Sequence, residues 1–464
     1  MTLIKSISGF RGTIGGKSGE GLTPFDTVSF AAAFAGFIKD QSKKEKVKIV
    51  VGRDARLSGA MIESLVNNTL VAMGVNVVNL GLSTTPTVEM AVSDLEADGG
   101  IILTASHNPK QWNALKLLNQ KGEFISAEEG KALLDAIENG DIVFCKIDQL
   151  GSIKEDNSQI GKHVQKIIDL PYVNTKAIKE AGFTVVFDAV NSTGGISIPV
   201  LLNALGVKEI IPLFDEPNGI FPHNPEPLPE NLTTISEEVV KRKADVGFVV
   251  DPDVDRLAIV SENGEMFGEE YTLVAIADYI LSKKKGNTVS NLSSTRALRD
   301  VSNKHGVDYN AAAVGEVNVV EKMKATKAVI GGEGNGGVIL PDLHYGRDAL
   351  AGIALFLSLM AERKQKVSNI RSTYPNYFIS KNRINLDPDM DVDMILEKIA
   401  KKYEREEVIT IDGVKIDFED GWVHLRKSNT ESIIRVYSES NSVNMAENLS
   451  KKMMADVGEI LREA

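Results

Sequence analysis

Ser106 ends the run Ile101-Ile102-Leu103-Thr104-Ala105 and is followed by His107-Asn108-Pro109. A strand that delivers a serine to a proline-closed turn leaves the hydroxyl at the strand's C-terminal end, the edge where open α/β sheets bind ligands. Taken alone, a polar turn is the commoner meaning of such a stretch. His107 shares the loop, but adjacent strand residues point to opposite faces, so it is not expected to serve Ser106 as a triad base. No G-x-S-x-G elbow surrounds the serine. A second loop, Asp251-Pro252-Asp253-Val254-Asp255-Arg256, follows the apolar Gly247-Phe248-Val249-Val250. Carboxylates at alternating positions of an extended loop converge on one side, and a hard cation relieves the charge they concentrate. Glu262 at the twelfth position suggests an EF-hand, but Arg256 replaces the required glycine and both flanks read as strands.

Two further loops present polar groups. Gly331-Gly332-Glu333-Gly334-Asn335-Gly336-Gly337 contains the spacing of a dinucleotide fingerprint, but Val338-Ile339-Leu340-Pro341 follows where a helix must open. What remains is a glycine-rich loop offering Glu333 and Asn335, side chains suited to sugar hydroxyls. A tight structural turn is an equally good reading of this loop in isolation. Arg426-Lys427-Ser428-Asn429-Thr430-Glu431-Ser432 leads into Ile433-Ile434-Arg435-Val436. Its guanidiniums, hydroxyls, amide and backbone N–H groups form a plausible phosphate cradle, and an exposed basic hairpin is the plainer alternative.

The elements that must hold these loops repeat. Three segments follow one plan of apolar strand, polar loop, helix ending at Gly-Val, and strand. They run from Lys48 to Val78, from Phe183 to Ile211 and from Asn287 to Tyr309, with Gly74, Gly206 and Gly306 where a left-handed helix cap is expected. This is the βαβ unit of a largely parallel sheet. The last ~95 residues differ: a break at Pro375, a charged stretch over 398–407, short strands near Val414–Phe418, Trp422–Leu425 and Ile433–Tyr437, then a helix from about Asn444. The expected fold is therefore α/β: three similar mixed-sheet α/β domains plus a smaller C-terminal α+β domain. The boundaries are 1–150, 151–258, 259–368 and 369–464.

The chain has 464 residues, 43% hydrophobic and 25% charged, with a net charge of −12. Such a balance belongs to ordinary globular domains. It does not favour nucleic acid, which demands a basic face, so any anionic ligand must find its arginines and lysines gathered locally. One cysteine, Cys145, excludes an internal disulfide and a zinc–thiolate site, which suits a reducing cytoplasm. The most apolar stretch, 28–38, is too short to span a bilayer. It opens with Thr23-Pro24-Phe25-Asp26, a capping box with proline at the first turn, and reads as a buried helix.

Taken in order, from Gly9-Phe10-Arg11-Gly12 through the serine and aspartate loops to Arg435, these motifs resemble the α-D-phosphohexomutase superfamily over nearly the whole chain. The resemblance implies four domains around a central cleft, which the repeat fits independently. It implies that Ser106 is a phosphorylated nucleophile and that Ser106, Asp251, Asp253 and Asp255 hold Mg²⁺. It further implies Lys116 as general acid/base, Arg11 and His107 in the same catalytic site, and Arg256 beside the metal loop. Glu333 and Asn335 would read the sugar, while Arg426, Ser428, Asn429, Thr430 and Arg435 would hold the distal phosphate. The implied reaction interconverts hexose 6-phosphate and 1-phosphate through a 1,6-bisphosphate, which also serves as activator. The expected partners are the hexose phosphate, with no nucleic acid and no membrane, in a cytoplasmic monomer or homodimer.

Some residues depart from the pattern. Asn335 stands where many members carry serine, and Lys427 and Ser432 where proline is common. Val314-Gly315-Glu316 resembles the Val-Gly-Asp of the phosphoglucosamine mutase branch and lacks the histidine of the phosphomannomutase/phosphoglucomutase branch; the first is favoured, the second kept as the alternative. A more distant alternative is a phosphatase with an aspartyl nucleophile in Asp251-Pro252-Asp253, against which Asp255 is a third carboxylate. A non-catalytic sugar-phosphate sensor would not need Ser106, Lys116 and all three aspartates intact.

Overall fold

A computed structural model describes residues 2–6, 9–140, 142–387, 390–428 and 433–463. Asn429 and Thr430 of the expected phosphate loop lie outside the described residues. The chain divides into two compact units, Met1–Tyr279 with Asn335–Ile370, and Ile280–Gly334 with Arg371–Ala464. No helix among the described residues is long and apolar enough to cross a membrane.

The first unit carries two sheets. The larger has seven strands in the spatial order Leu3–Ser6, Gly9–Thr13, Trp112–Leu118, Gly99–Leu103, Val47–Arg53, Val75–Leu82, Ile153–Glu155. Val47–Arg53 lies parallel to both its neighbours, whereas Trp112–Leu118 is antiparallel to both of its own, so the sheet is mixed. Strands buried on both faces are continuously apolar, and Gly99–Leu103 is buried at every position. The helix Pro24–Ser42 starts at a capping box in which Thr23 and Asp26 exchange bonds, and it buries Phe30, Phe34 and Ile38. Phe30 stacks on Phe10 with ring centroids 3.8 Å apart. Each such fully buried side chain contributes about 1.5–3 kcal/mol.

The second sheet of this unit runs Leu257–Ser261, Val246–Val250, Thr184–Asp188, Glu209–Leu213. Its centre is parallel, and the pair Val246–Val250 and Leu257–Ser261 is antiparallel, with the aspartate loop as the connection.

In the second unit Thr288–Asn291 pairs in parallel with Tyr309–Ala312 and with Ile330–Glu333. A five-stranded antiparallel sheet follows, ordered Phe378–Asn385, Ile433–Ser440, Gly421–Lys427, Val414–Phe418, Glu407–Ile409. The helix Val443–Glu463 supplies Met453 and Val457 to a core shared with Ile416, Val423, Leu425 and Val436.

All three expected strand–helix–strand units form parallel pairs, and Gly74, Gly206 and Gly306 adopt positive φ. Of the charged stretch 398–407, residues 398–402 close the helix Val392–Lys402 and the rest turns toward the strand Glu407–Ile409. Asp391 caps the helix, and Ile395, Leu396 and Ile399 turn inward while the lysines stay in solvent. Phe378–Asn385 carries no clear strand signature in its sequence because it is an edge, partly exposed and rich in polar residues.

Candidate functional site

Ser106 lies three residues beyond the strand Gly99–Leu103, buried at 3% exposure and with φ of 49°. That left-handed backbone is uncommon for a residue with a Cβ. It is held by neighbours: the Ser106 amide donates to Thr104 Oγ1 at 2.9 Å, and Thr104 Oγ1 donates to Asp54 Oδ2 at 2.7 Å. Asp54 pairs with Arg56 at 2.9 Å, both side chains fully buried. The Arg56 guanidinium then donates to the carbonyls of Ser106, Asn108 (2.7 Å), Pro109 (2.9 Å) and Trp112 (3.1 Å). One planar fork thus satisfies four carbonyls that a tight buried loop would otherwise leave unpaired.

Because Ser106 is in a loop and not in the strand, the expectation that His107 points away from it fails. His107 Nδ1 is 3.3 Å from Ser106 Oγ. Burial pushes the imidazole down to about 2, with Arg256, Arg11 and Arg347 reinforcing the effect. It is therefore neutral, and too weak a base for a triad.

Ser106 Oγ donates to Asp251 Oδ2 at 2.6 Å. The three aspartates are fully buried, and one oxygen from each lies within 4.8 Å of the others. They do not converge by alternation along an extended loop, as expected. The loop turns: Val254 N donates to Asp251 O at 3.1 Å, and Val254 has φ of 62°. The amides of Asp255 and Arg256 then reach Asp251 Oδ1 at 3.1 and 3.2 Å. From behind, Ser192 and Thr193 hydroxyls hold the Pro252 carbonyl at 2.7 and 2.8 Å.

Lys116, on the strand Trp112–Leu118, reaches Asp253 Oδ2 at 2.8 Å and Asp255 Oδ2 at 3.7 Å. Burial lowers its pKa, but the two carboxylates outweigh this and raise it, so the ammonium persists. Asp253, against the pull of its own burial, is held low by Lys116 and by the Thr85 hydroxyl at 2.6 Å. Asp251 is pushed well above the carboxylate range by burial and by Asp255 and Asp253. Asp253 Oδ1 and Asp255 Oδ1 are buried without a hydrogen-bond partner. Orphaned buried oxygens on two of three clustered carboxylates fit a hard divalent cation.

Arg11 donates to Asn108 Oδ1 at 2.9 Å, which ties Gly9–Thr13 to the serine loop. Arg256 lies 3.7 Å from Glu226 and 4.0 Å from Asp255. Arg347, absent from the expected set, donates to Asp255 Oδ2 at 2.6 Å. Arg347 and Arg56 both act across long sequence separations; the local signal is a basic residue within two positions of an acidic one, Asp348 for the first and Asp54 for the second.

In the second unit Glu333 Oε1 accepts from Asn291 Nδ2 at 2.8 Å and from Gly315 N at 3.1 Å, which brings Val314-Gly315-Glu316 to the glycine-rich loop. Asn335, in the first unit, bonds its own loop, accepting from Gly337 N at 3.2 Å. Arg426 Nε pairs with Asp412 at 2.8 Å, and Ser428 N donates to Ile433 O at 3.0 Å. Arg426 registers opposite Arg435, which registers opposite Arg383 on the next strand. Like charges directly across a sheet repel, so this row favours an anion. Arg383 was not in the expected set; its place was hidden with its edge strand.

Family models cover the chain in four stretches. Phosphoglucomutase/phosphomannomutase α/β/α domains I, II and III match residues 3–143, 162–264 and 268–377, and the C-terminal domain matches 383–455. A phosphoglucomutase/phosphomannomutase of Thermococcus kodakarensis is 33% identical, with 93% of this chain and 94% of that one covered. A phosphoglucosamine/phosphogalactosamine mutase of Sulfurisphaera tokodaii is 31% identical, covering 93% and 95%. A solved phosphoglucomutase/phosphomannomutase family protein from Burkholderia thailandensis superposes with a TM-score of 0.84 at 26% identity, covering 98% of both chains. With the buried serine, the aspartate triad and the lysine in place, the chain belongs to the phosphoglucomutase/phosphomannomutase family.

Proposed function

We propose that the protein is a phosphohexose mutase that interconverts hexose 6-phosphate and 1-phosphate through a phosphoserine at Ser106, with glucosamine phosphate as its preferred substrate. The observation that carries this reading is the 2.6 Å bond from Ser106 Oγ to Asp251, beside two orphaned carboxylate oxygens. Asp251, Asp253 and Asp255 would hold Mg²⁺, with an oxygen on Ser106, and the ion when bound neutralises charge on the moving phosphoryl group.

Phosphoserine gives its phosphoryl to the free hydroxyl of the sugar phosphate; the Oγ–P bond breaks as the sugar O–P bond forms. Lys116, kept charged by Asp253 and Asp255, gives a proton to the departing Oγ and recovers one from the incoming hydroxyl. The resulting 1,6-bisphosphate turns end over end, and the other phosphoryl returns to Ser106. The transition state is loose, so positioning supplies most of the acceleration. Arg11, His107 and Arg256 line the serine and metal loops. Glu333 and Asn335 read the hydroxyls, and Arg426, Ser428, Asn429, Thr430 and Arg435 hold the phosphate not in transfer. Four domains, 1–150, 151–258, 259–368 and 369–464, carry these parts in a cytoplasmic monomer or homodimer activated by hexose 1,6-bisphosphate.

The substrate preference rests on Glu333, a carboxylate that tolerates an ammonium at C2, and on the bond joining it to Gly315. The relative from Sulfurisphaera tokodaii bears the matching name. The test is kcat/KM for glucosamine 6-phosphate, glucose 1-phosphate and mannose 1-phosphate with Mg²⁺ and an activating bisphosphate. A neutral sugar ahead by tenfold or more overturns the preference. Peptide mass spectrometry after incubation with the bisphosphate should place phosphate on Ser106; a hydroxylamine-labile phosphate on Asp251 overturns the mutase mechanism itself.

A further inference from the structure

A second group of metal-ligating side chains lies in the first unit, away from the aspartate triad and unused by the mechanism. His163 comes from the helix Gln159–Ile168, His344 from the loop before Asp348, and Asp348 caps the helix Ala349–Arg363. Both imidazoles turn Nε2 toward one oxygen: His163 Nε2 is 2.8 Å and His344 Nε2 3.3 Å from Asp348 Oδ2. One ligand atom from each of the three residues lies within 4.8 Å of the others. The opposite ring nitrogens both face polar oxygens, and among the described residues that of His163 is hydrogen-bonded while that of His344 is not. His163 Nδ1 is 2.9 Å from Thr87 Oγ1, and His344 Nδ1 is 3.3 Å from Glu89 Oε2.

Two imidazoles that converge through one nitrogen and are steered through the other by a hydroxyl and a carboxylate match the outer-shell arrangement of metal-bound histidines. The backbone makes room for it. A Cβ at Gly346 would stand 1.9 Å from Glu89 Oε2, so only glycine lets that carboxylate reach His344. Burial opposes protonation of His344, but the hydrogen bond to Asp348 and the charges of Glu89 and Asp348, buried at 2% and 1% exposure, push its imidazole up to about 10. A metal ion would take the place of the proton it carries. His344 keeps 11% of its side chain at the surface, a route in from solvent.

We propose that His163, His344 and Asp348 bind a transition-metal ion of the Zn²⁺ class, with Glu89 and Thr87 as outer supports. Mixed nitrogen and oxygen donors select such an ion over Mg²⁺, which prefers oxygen alone. Zinc–ligand bonds of roughly 2.0–2.2 Å need only small adjustments of atoms already this close, and three protein ligands leave a fourth position for water. The site abuts the catalytic one in sequence. Arg347, next to Asp348, holds Asp255, and Thr85, two residues before Thr87, holds Asp253. An ion here stiffens the segments that fix the triad without taking part in transfer.

Chelator-stripped protein, returned to saturating Mg²⁺ so that the triad is filled, is titrated with Zn²⁺ by calorimetry. The loaded protein is then measured by X-ray absorption at the zinc edge. One Zn²⁺ per chain in a four-coordinate shell with two imidazoles is the expected result. His344→Gln should weaken binding by about 100-fold or more and Glu89→Gln by about 10- to 100-fold. An all-oxygen shell, no tight equivalent, or unchanged affinity in both variants overturns the site. If either variant does not fold, the wild-type spectrum decides.

Discussion

At the scale of single residues, the reading stands on charges that are buried and only partly answered. Asp253→Asn removes one of the carboxylates beside Lys116 and should lower turnover by about 10³-fold, the worth of several kcal/mol of charge stabilisation, with a native circular dichroism spectrum. Normal activity of that variant in chelator would exclude a metal role for the loop. His424 offers a pH test in the second unit. Burial, reinforced by repulsion from Lys415, holds it down at about 4, although its Nε2–H donates to the Asp412 carbonyl at 2.7 Å. Below pH 6.5 the unfolded chain binds a proton that the folded one refuses, so stability falls as pH drops from 6.5 toward 4. The loss amounts to about 3 kcal/mol. His424→Gln should flatten that part of the curve in thermal melts between pH 7 and 4.5; an equally steep fall would assign the acid sensitivity elsewhere.

At the scale of elements, Arg56 determines the shape of the serine loop. Replacing it with methionine leaves Asp54 buried without its cation and four carbonyls short of a donor. Arg56→Met should cost about 3–5 kcal/mol, read by calorimetry. Arg56→Lys should recover part of the stability but little of the turnover, since an ammonium cannot reproduce the planar fork. If Arg56→Lys restores full activity, charge alone matters at that position. The serine and aspartate loops could be read from the sequence because each is contiguous and flanked by apolar strands. Arg56 and Arg347 could not, because their roles arise only when separate segments of the chain meet. The opposite-face reasoning for His107 failed for a related cause: strand periodicity was carried past the strand's last residue.

At the scale of the whole molecule, a chain of net charge −12 would meet the doubly phosphorylated ligand of the proposed reaction with cations gathered locally. Around the triad these are Lys116, Arg11, Arg256 and Arg347; in the second unit they are the register Arg383, Arg435 and Arg426. If the sugar binds both ways round, as the proposed mechanism requires, Arg426→Ala should lower kcat/KM by about 10- to 150-fold for 1-phosphates and 6-phosphates alike, the worth of one charge-assisted hydrogen bond. A fall confined to one isomer would mean that this strand serves one orientation. The order of strands and helices was accessible from period and punctuation. The arginine register was not, since it depends on pairing across strands distant in sequence, one of which did not read as a strand.

Val254 separates two properties that are often measured as one. A β-branched residue at φ of 62° costs roughly 1–2 kcal/mol, and glycine would remove that cost. Yet the side chain is fully buried, and deleting it forfeits about 1.5–3 kcal/mol of burial. The two nearly cancel, so Val254→Gly should melt within a few degrees of the parent. The turn would no longer be confined to one conformation, however, and the aspartates on either side of it would lose their common focus. A selection for expression or heat resistance would pass this variant, whereas a selection for turnover at limiting Mg²⁺ would reject it.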